Sequence, residues 1–77
     1  MKRVMFTVYR QYFDAIKLGT KVIERRVTKK PWLAYLASPP GEAVFVCGRD
    51  RLERRVTKVD LVDGKVRFHL AAPGGSP

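Results

Sequence analysis

Apolar and polar residues alternate along this chain in short runs broken by turn residues, and the period changes from run to run. Residues 2–9 read as a strand, with Val4, Phe6 and Val8 on one face and Met5, Thr7 and Tyr9 on the other. Apolar side chains on both faces predict a central strand covered on both sides. Residues 11–18 switch to helical spacing, with Phe13, Ile16 and Tyr12 inward over about two turns. Gly19 is placed to end that helix in the left-handed conformation. Residues 21–28 form a second strand, whose alternation sets Val22, Glu24 and Arg26 on one face and Ile23, Arg25 and Val27 on the other. Pro31 breaks the chain. Residues 32–36 allow one helical turn before Ser38-Pro39-Pro40-Gly41 forces a loop.

Residues 43–47 are a short apolar strand expected to be buried, and Gly48 with Arg49-Asp50 reads as a turn into a fourth strand over residues 51–62. Asp63-Gly64 between alternating runs is the strongest short-range hairpin signal in a protein sequence. A two-residue loop there pairs Val62 with Lys65, Leu61 with Val66, Asp60 with Arg67, Val59 with Phe68 and Lys58 with His69. On that register Val59, Leu61, Val66, Phe68 and Leu70 share one face, and Asp60 opposes Arg67 as an ion pair on the other. Residues 72–77 are a Pro/Gly/Ser tail expected to fray. Residues 1–71 then make a single domain.

Composition sharpens this picture. At 77 residues the chain has room for one modest core, and 45% apolar residues with four Phe, three Tyr and one Trp favour an ordered core over disorder. Charges interrupt every apolar segment, so no membrane span is expected, and the N-terminal residues contain no run long enough for a signal peptide. One cysteine, Cys47, excludes an internal disulfide and fits a reducing cytoplasm. Its apolar strand marks it as a buried side chain rather than a nucleophile. His69 has no Cys or His partner at ligand spacing, so no metal or other cofactor is expected. The chain has no Asn and a single Gln, which fits a thermophilic protein; GC-rich coding gives the same bias.

Sixteen Lys and Arg against seven Asp and Glu leave a net charge of +9, a field that attracts polyanions. The cations cluster, with Lys21, Arg25, Arg26, Lys29 and Lys30 in one group and Arg49, Arg51, Arg54, Arg55 and Lys58 in another. Clustering on two strands favours nucleic-acid contact over a surface tuned only for solubility. The six residues ERRVTK occur at 24–29 and again at 53–58. Two copies arise by chance in an Arg- and Val-rich chain, or they present similar basic faces to one ligand backbone.

Laid out in this order, the chain resembles the ASCH domain of the PUA-like superfamily. That family carries a G-x-K-x-x-E-x-R signature after its first helix, matched by Gly19, Lys21, Glu24 and Arg26, and Gly41-Glu42 is similar to its Gly-Asp before an apolar strand. The resemblance covers residues 1–70 and implies an α+β fold: a small PUA-like β-barrel of about five strands with one or two short helices at its side. It also implies a cleft beside the signature and RNA or nucleotide-type ligands. The chain is shorter than most relatives, so loops that wall the cleft are trimmed. Arg25 stands where relatives place an apolar residue.

Lys21 brings a mobile point charge to a phosphate, and Arg26 a planar fork for phosphate or base. Glu24 can accept hydrogen bonds from a base, or pair with Arg26 or Arg55 instead. Trp32, in a polar loop after Lys29-Lys30-Pro31, is the candidate stacking residue, whereas Tyr9, Tyr12 and Phe45 are read as core. The expected nucleic-acid-binding set is therefore Lys21, Glu24, Arg25, Arg26, Lys29, Lys30, Trp32, Arg54 and Arg55. RNA is the expected partner of a monomeric chain, with DNA left open. Two alternatives stand beside it. Some ASCH relatives are amidohydrolases of acylated cytidine using a Lys, a Thr and a Glu; Lys21 matches the Lys, Glu24 occupies the Thr position, and no residue matches the distal Glu. The other alternative is a basic accessory module docked on a ribonucleoprotein.

Overall fold

The computed structural model describes residues 2–72; the expected fraying of the tail concerns residues 73–77, which lie outside the described residues. The elements follow as β1 (Arg3–Thr7), α1 (Arg10–Leu18), β2 (Ile23–Val27), α2 (Ala34–Ala37), β3 (Glu42–Cys47), β4 (Asp50–Val62) and β5 (Lys65–Leu70). Five strands in the order β1-β3-β4-β5-β2 make one sheet that curls into a half-barrel, with two short helices. The domain is α+β.

The curl originates in β4. Its first half pairs antiparallel with β3, and its second half pairs with β5. The register skips Thr57 between Val56 and Lys58, a β-bulge at the point where β4 changes partner. A bulge bends its strand and increases the local twist, so one long strand serves both walls of the half-barrel. The hairpin that follows has the register the Asp63-Gly64 loop dictates, from Val62↔Lys65 to Lys58↔His69. Both loop residues have positive φ, 52° at Asp63 and 72° at Gly64, which a two-residue hairpin turn requires.

The concave side holds Val4, Phe6, Phe13, Ile16, Ala43, Phe45, Val56, Val66, Phe68 and Leu70. Phe6 is central to it, stacked on Phe45 and Trp32 at 5.3 Å each and edge-on to Phe68 at 5.0 Å. Two expectations are corrected. β1 is an edge strand, with Arg3, Met5 and Thr7 exposed and Met5 at 59%. The strand covered on both faces is β3, whose Ala43, Val44 and Phe45 are all buried. Leu61 shares the inward register of Val66 but is 50% exposed, because the hairpin tip projects past the core.

On the convex side of the hairpin, Arg67 donates two hydrogen bonds to Asp60, at 2.8 and 2.9 Å. His69 Nε2 lies 3.1 Å from the same carboxylate and Lys58 Nζ 3.5 Å from it. The Arg67 hydrogen bonds, aided by His69, hold the Asp60 carboxyl well below the usual carboxylate range despite partial burial, and Asp60 in turn raises Arg67.

Candidate nucleic-acid interface

The sheet order leaves β1 and β2 as its two free edges, and the open seam of the half-barrel lies between them. α1 is delivered to this seam by its ends. Gly19, at φ 88°, closes the helix by donating to the Ala15 and Ile16 carbonyls, and the backbone N–H groups of Thr20 and Lys21 also reach Ala15 O. A Cβ at that φ is disfavoured, so glycine suits the corner. The Ala15 carbonyl thereby anchors Lys21 at the negative end of the helix, a favourable place for a cation.

From that anchor, alternation along β2 places Glu24 and Arg26 on the concave side and Arg25 outside, as the strand pattern predicts. Glu24 is 6% exposed, the one buried charged residue among those described. Its carboxylate is matched by Arg26 Nη2 at 2.7 Å and Lys21 Nζ at 3.4 Å, and Lys21 also donates to Ile23 O at 2.7 Å. The Arg26 guanidinium lies over Phe6 at 4.8 Å and Trp32 at 5.4 Å. Cation–π contact of this kind strengthens as water is excluded. Arg26 therefore caps the aromatic core at the seam. Its Nε is buried without a hydrogen-bond partner among the described residues, so the ring faces are what it meets there.

Three adjoining depressions of about 260, 310 and 230 Å³ run along this seam. Lys21, Glu24, Arg25 and Arg26 line them with Tyr12 of α1 and Thr7, Val8 and Tyr9 at the end of β1. Tyr9 is 78% exposed and Tyr12 44%, their rings 6.3 Å apart, and Lys21 Nζ lies 5.6 Å from the Tyr12 ring. The groove thus combines two exposed aromatic rings, three cations and one sequestered carboxylate.

Of the expected site residues, the structure brings Lys21, Glu24, Arg25 and Arg26 together and leaves the others out of the groove walls. Lys29 and Lys30 are exposed in the loop beyond β2. Trp32 packs against the core between Phe6 and Tyr35 instead of projecting from the loop. Arg54 turns to the C-terminal end of α1, reaching the Ile16 and Lys17 carbonyls at 3.4 Å, where it neutralises the last turn. Arg55 is exposed opposite Glu42 of β3. The ERRVTK copies do not present matching faces side by side: β5 separates β2 from β4, and Glu24 is buried where its counterpart Glu53 is exposed. Tyr9 and Tyr12, weighed as stacking residues but read as core from the sequence, stand exposed on the groove. The available signal was position, since an aromatic at a strand end and another in the first turn of the next helix flank a free edge.

Among the described residues no group of three or more His, Cys, Asp or Glu side chains is arranged to hold a metal ion. No helix among the described residues is long and apolar enough to cross a membrane. No protein-family model matches the chain, and a search of curated proteins returns no match.

Proposed function

We propose that this chain binds single-stranded RNA in the seam groove, with unstacked bases on Tyr9 and Tyr12 and phosphates on Lys21 and Arg25. The observation that carries the reading is the exposed tyrosine pair beside three cations, in a groove bounded by two free sheet edges. Single-strand readers combine these two features, a positive channel for the backbone and aromatic faces for the bases. Glu24 enters as the residue that sets the geometry of Lys21 and Arg26. Lys21, Glu24 and Arg26 also carry the resemblance to ASCH domains, and their convergence here supports taking the half-barrel as a short form of that PUA-like fold. Cys47, the free thiol, supports a cytoplasmic setting.

The amidohydrolase reading rests on Lys21, whose amine is engaged by the Ile23 carbonyl and Glu24; binding accounts for the exposed tyrosines and catalysis does not. The test is fluorescence anisotropy with single-stranded RNA, hairpin RNA and duplex DNA, on wild type and Tyr9→Ala/Tyr12→Ala. Both tyrosines are exposed, so the variant keeps the core. Single-stranded RNA is expected to bind best, and the variant to lose about 1–3 kcal/mol per base stack. Equal binding of wild type and variant to every probe rejects the groove.

A further inference from the structure

The groove ends at β2, but the basic surface does not. Arg25, which lines the groove, faces outward from β2 and is the register partner of Arg67 on β5, which in turn opposes Asp60 on β4. The flanking register positions add His69 with Lys58 on one side and Lys65 on the other. Four permanent cations, Arg25, Lys58, Lys65 and Arg67, thus share the convex face of β2, β5 and β4 with one carboxylate and one imidazole. Asp60 does not cancel this face. It fixes Arg67 by two hydrogen bonds and draws in His69 and Lys58, so two of the four cations, Arg67 and Lys58, are held before any ligand arrives, which lowers the cost of binding.

We infer that this convex face is a second contact for the same RNA strand, carrying its phosphodiester backbone after the bases leave the groove. The inference rests on the RNA reading above for the identity of the polymer. The division of labour follows from side-chain type. The groove offers tyrosine rings; the register positions of the convex face offer cations with Ile23, Val27 and Val62 and no Phe, Tyr or Trp, and the one ring there, His69, is engaged by Asp60. Without a stacking surface a sheet face reads phosphate and sugar, not bases. The absence of Trp or Tyr there also removes the side chains that anchor proteins at a bilayer interface. Cations two residues apart on one strand are roughly 6.7 Å apart and those on neighbouring strands nearer 5 Å, a grid that follows a strand of phosphates across β2 and β5. Arg25 belongs to both surfaces and makes them continuous.

The experiment measures the salt dependence of binding for a trinucleotide and a dodecanucleotide RNA between about 50 and 200 mM salt. The longest dimension of the molecule is 28 Å, and a stacked dodecanucleotide at about 3.4 Å per nucleotide exceeds it, so the longer probe reaches from groove to face. Four proteins are compared: wild type, the groove variant Tyr9→Ala/Tyr12→Ala, the face variant Lys58→Ala/Lys65→Ala, and a charge-matched control at the other end of β4, Arg49→Ala/Arg51→Ala. Single-strand binding changes its log–log salt slope by about 0.7 per phosphate contact. The face variant is expected to lose about 1.4 in slope and on the order of tenfold in affinity for the dodecanucleotide, with trinucleotide binding unchanged. If it loses no more than the control while the groove variant still loses both probes, the inference is overturned and the groove reading stands. If the groove variant binds like wild type while the face variant loses the long probe, the face holds and the groove reading falls. Capture of the protein by phosphatidylserine vesicles through Lys58 and Lys65, with no binding of either RNA, overturns both.

Discussion

Tyr9 and Trp32 exchange the roles that their local sequence suggests. Trp32 follows two lysines and a proline, a context that reads as exposed, yet it stacks on Phe6 beneath Arg26 and belongs to the core. Tyr9 ends an apolar run, a context that reads as buried, yet it stands open at the seam. The reason is position relative to a free edge, which no window of residues encodes. Trp32→Ala is therefore expected to act on stability. A half-buried tryptophan falls below the full cost of aromatic truncation, so the loss is about 2–3 kcal/mol in urea unfolding, with RNA affinity per folded molecule unchanged. A fall in affinity with unaltered unfolding would return Trp32 to the site. Glu24 illustrates the same point for charge. A carboxylate between basic residues was legible as one end of an ion pair, but its burial depends on β2 turning that face towards Phe6.

At the scale of elements, what was legible is what is local. The β4–β5 register follows from two loop residues, and the end of α1 from one glycine, because a turn type and a helix cap each depend on a few adjacent dihedrals. The sheet order was not legible. β1 pairs parallel with β3, across the whole of α1, β2 and α2, and nothing near residues 3–7 announces that its other edge stays free. The outward row Arg25–Arg67–Asp60 is likewise invisible until β2 is known to pair with β5. That row makes a prediction about pH. Asp60 has a folded-state pKa below its unfolded value, chiefly through the Arg67 hydrogen bonds. Its stabilisation is then complete above the ordinary aspartate value of about 4 and is lost as pH falls from there through the folded value. Wild type should exceed Asp60→Asn in urea stability by a constant margin from neutral pH down to about pH 4, and by a shrinking margin below it. A margin that already shrinks between pH 7 and pH 5 would contradict Asp60 as the group responsible.

For the whole molecule, a net charge of +9 on 77 residues sets a field that draws any polyanion, and the fold gives that field a shape. A bulged strand shared by two walls curls the sheet, and the curl leaves one seam. The helix that precedes β2 brings an aromatic ring and a lysine to the seam, while the convex face carries Arg25, Arg67, Lys58 and Lys65. Some of the charge is structural: Arg54 caps α1, Arg26 covers Phe6, and Arg10 is held by Asp50 at 2.8 Å. Charge counting therefore overstates the binding surface, and location decides between a diffuse field and a site. The most direct measurement is a backbone-amide chemical-shift map of the protein titrated with a short single-stranded RNA at physiological salt. A seam site requires the largest shifts at Tyr9, Tyr12 and residues 21–26. Shifts confined to residues 49–55, or no saturable shift anywhere, would contradict it.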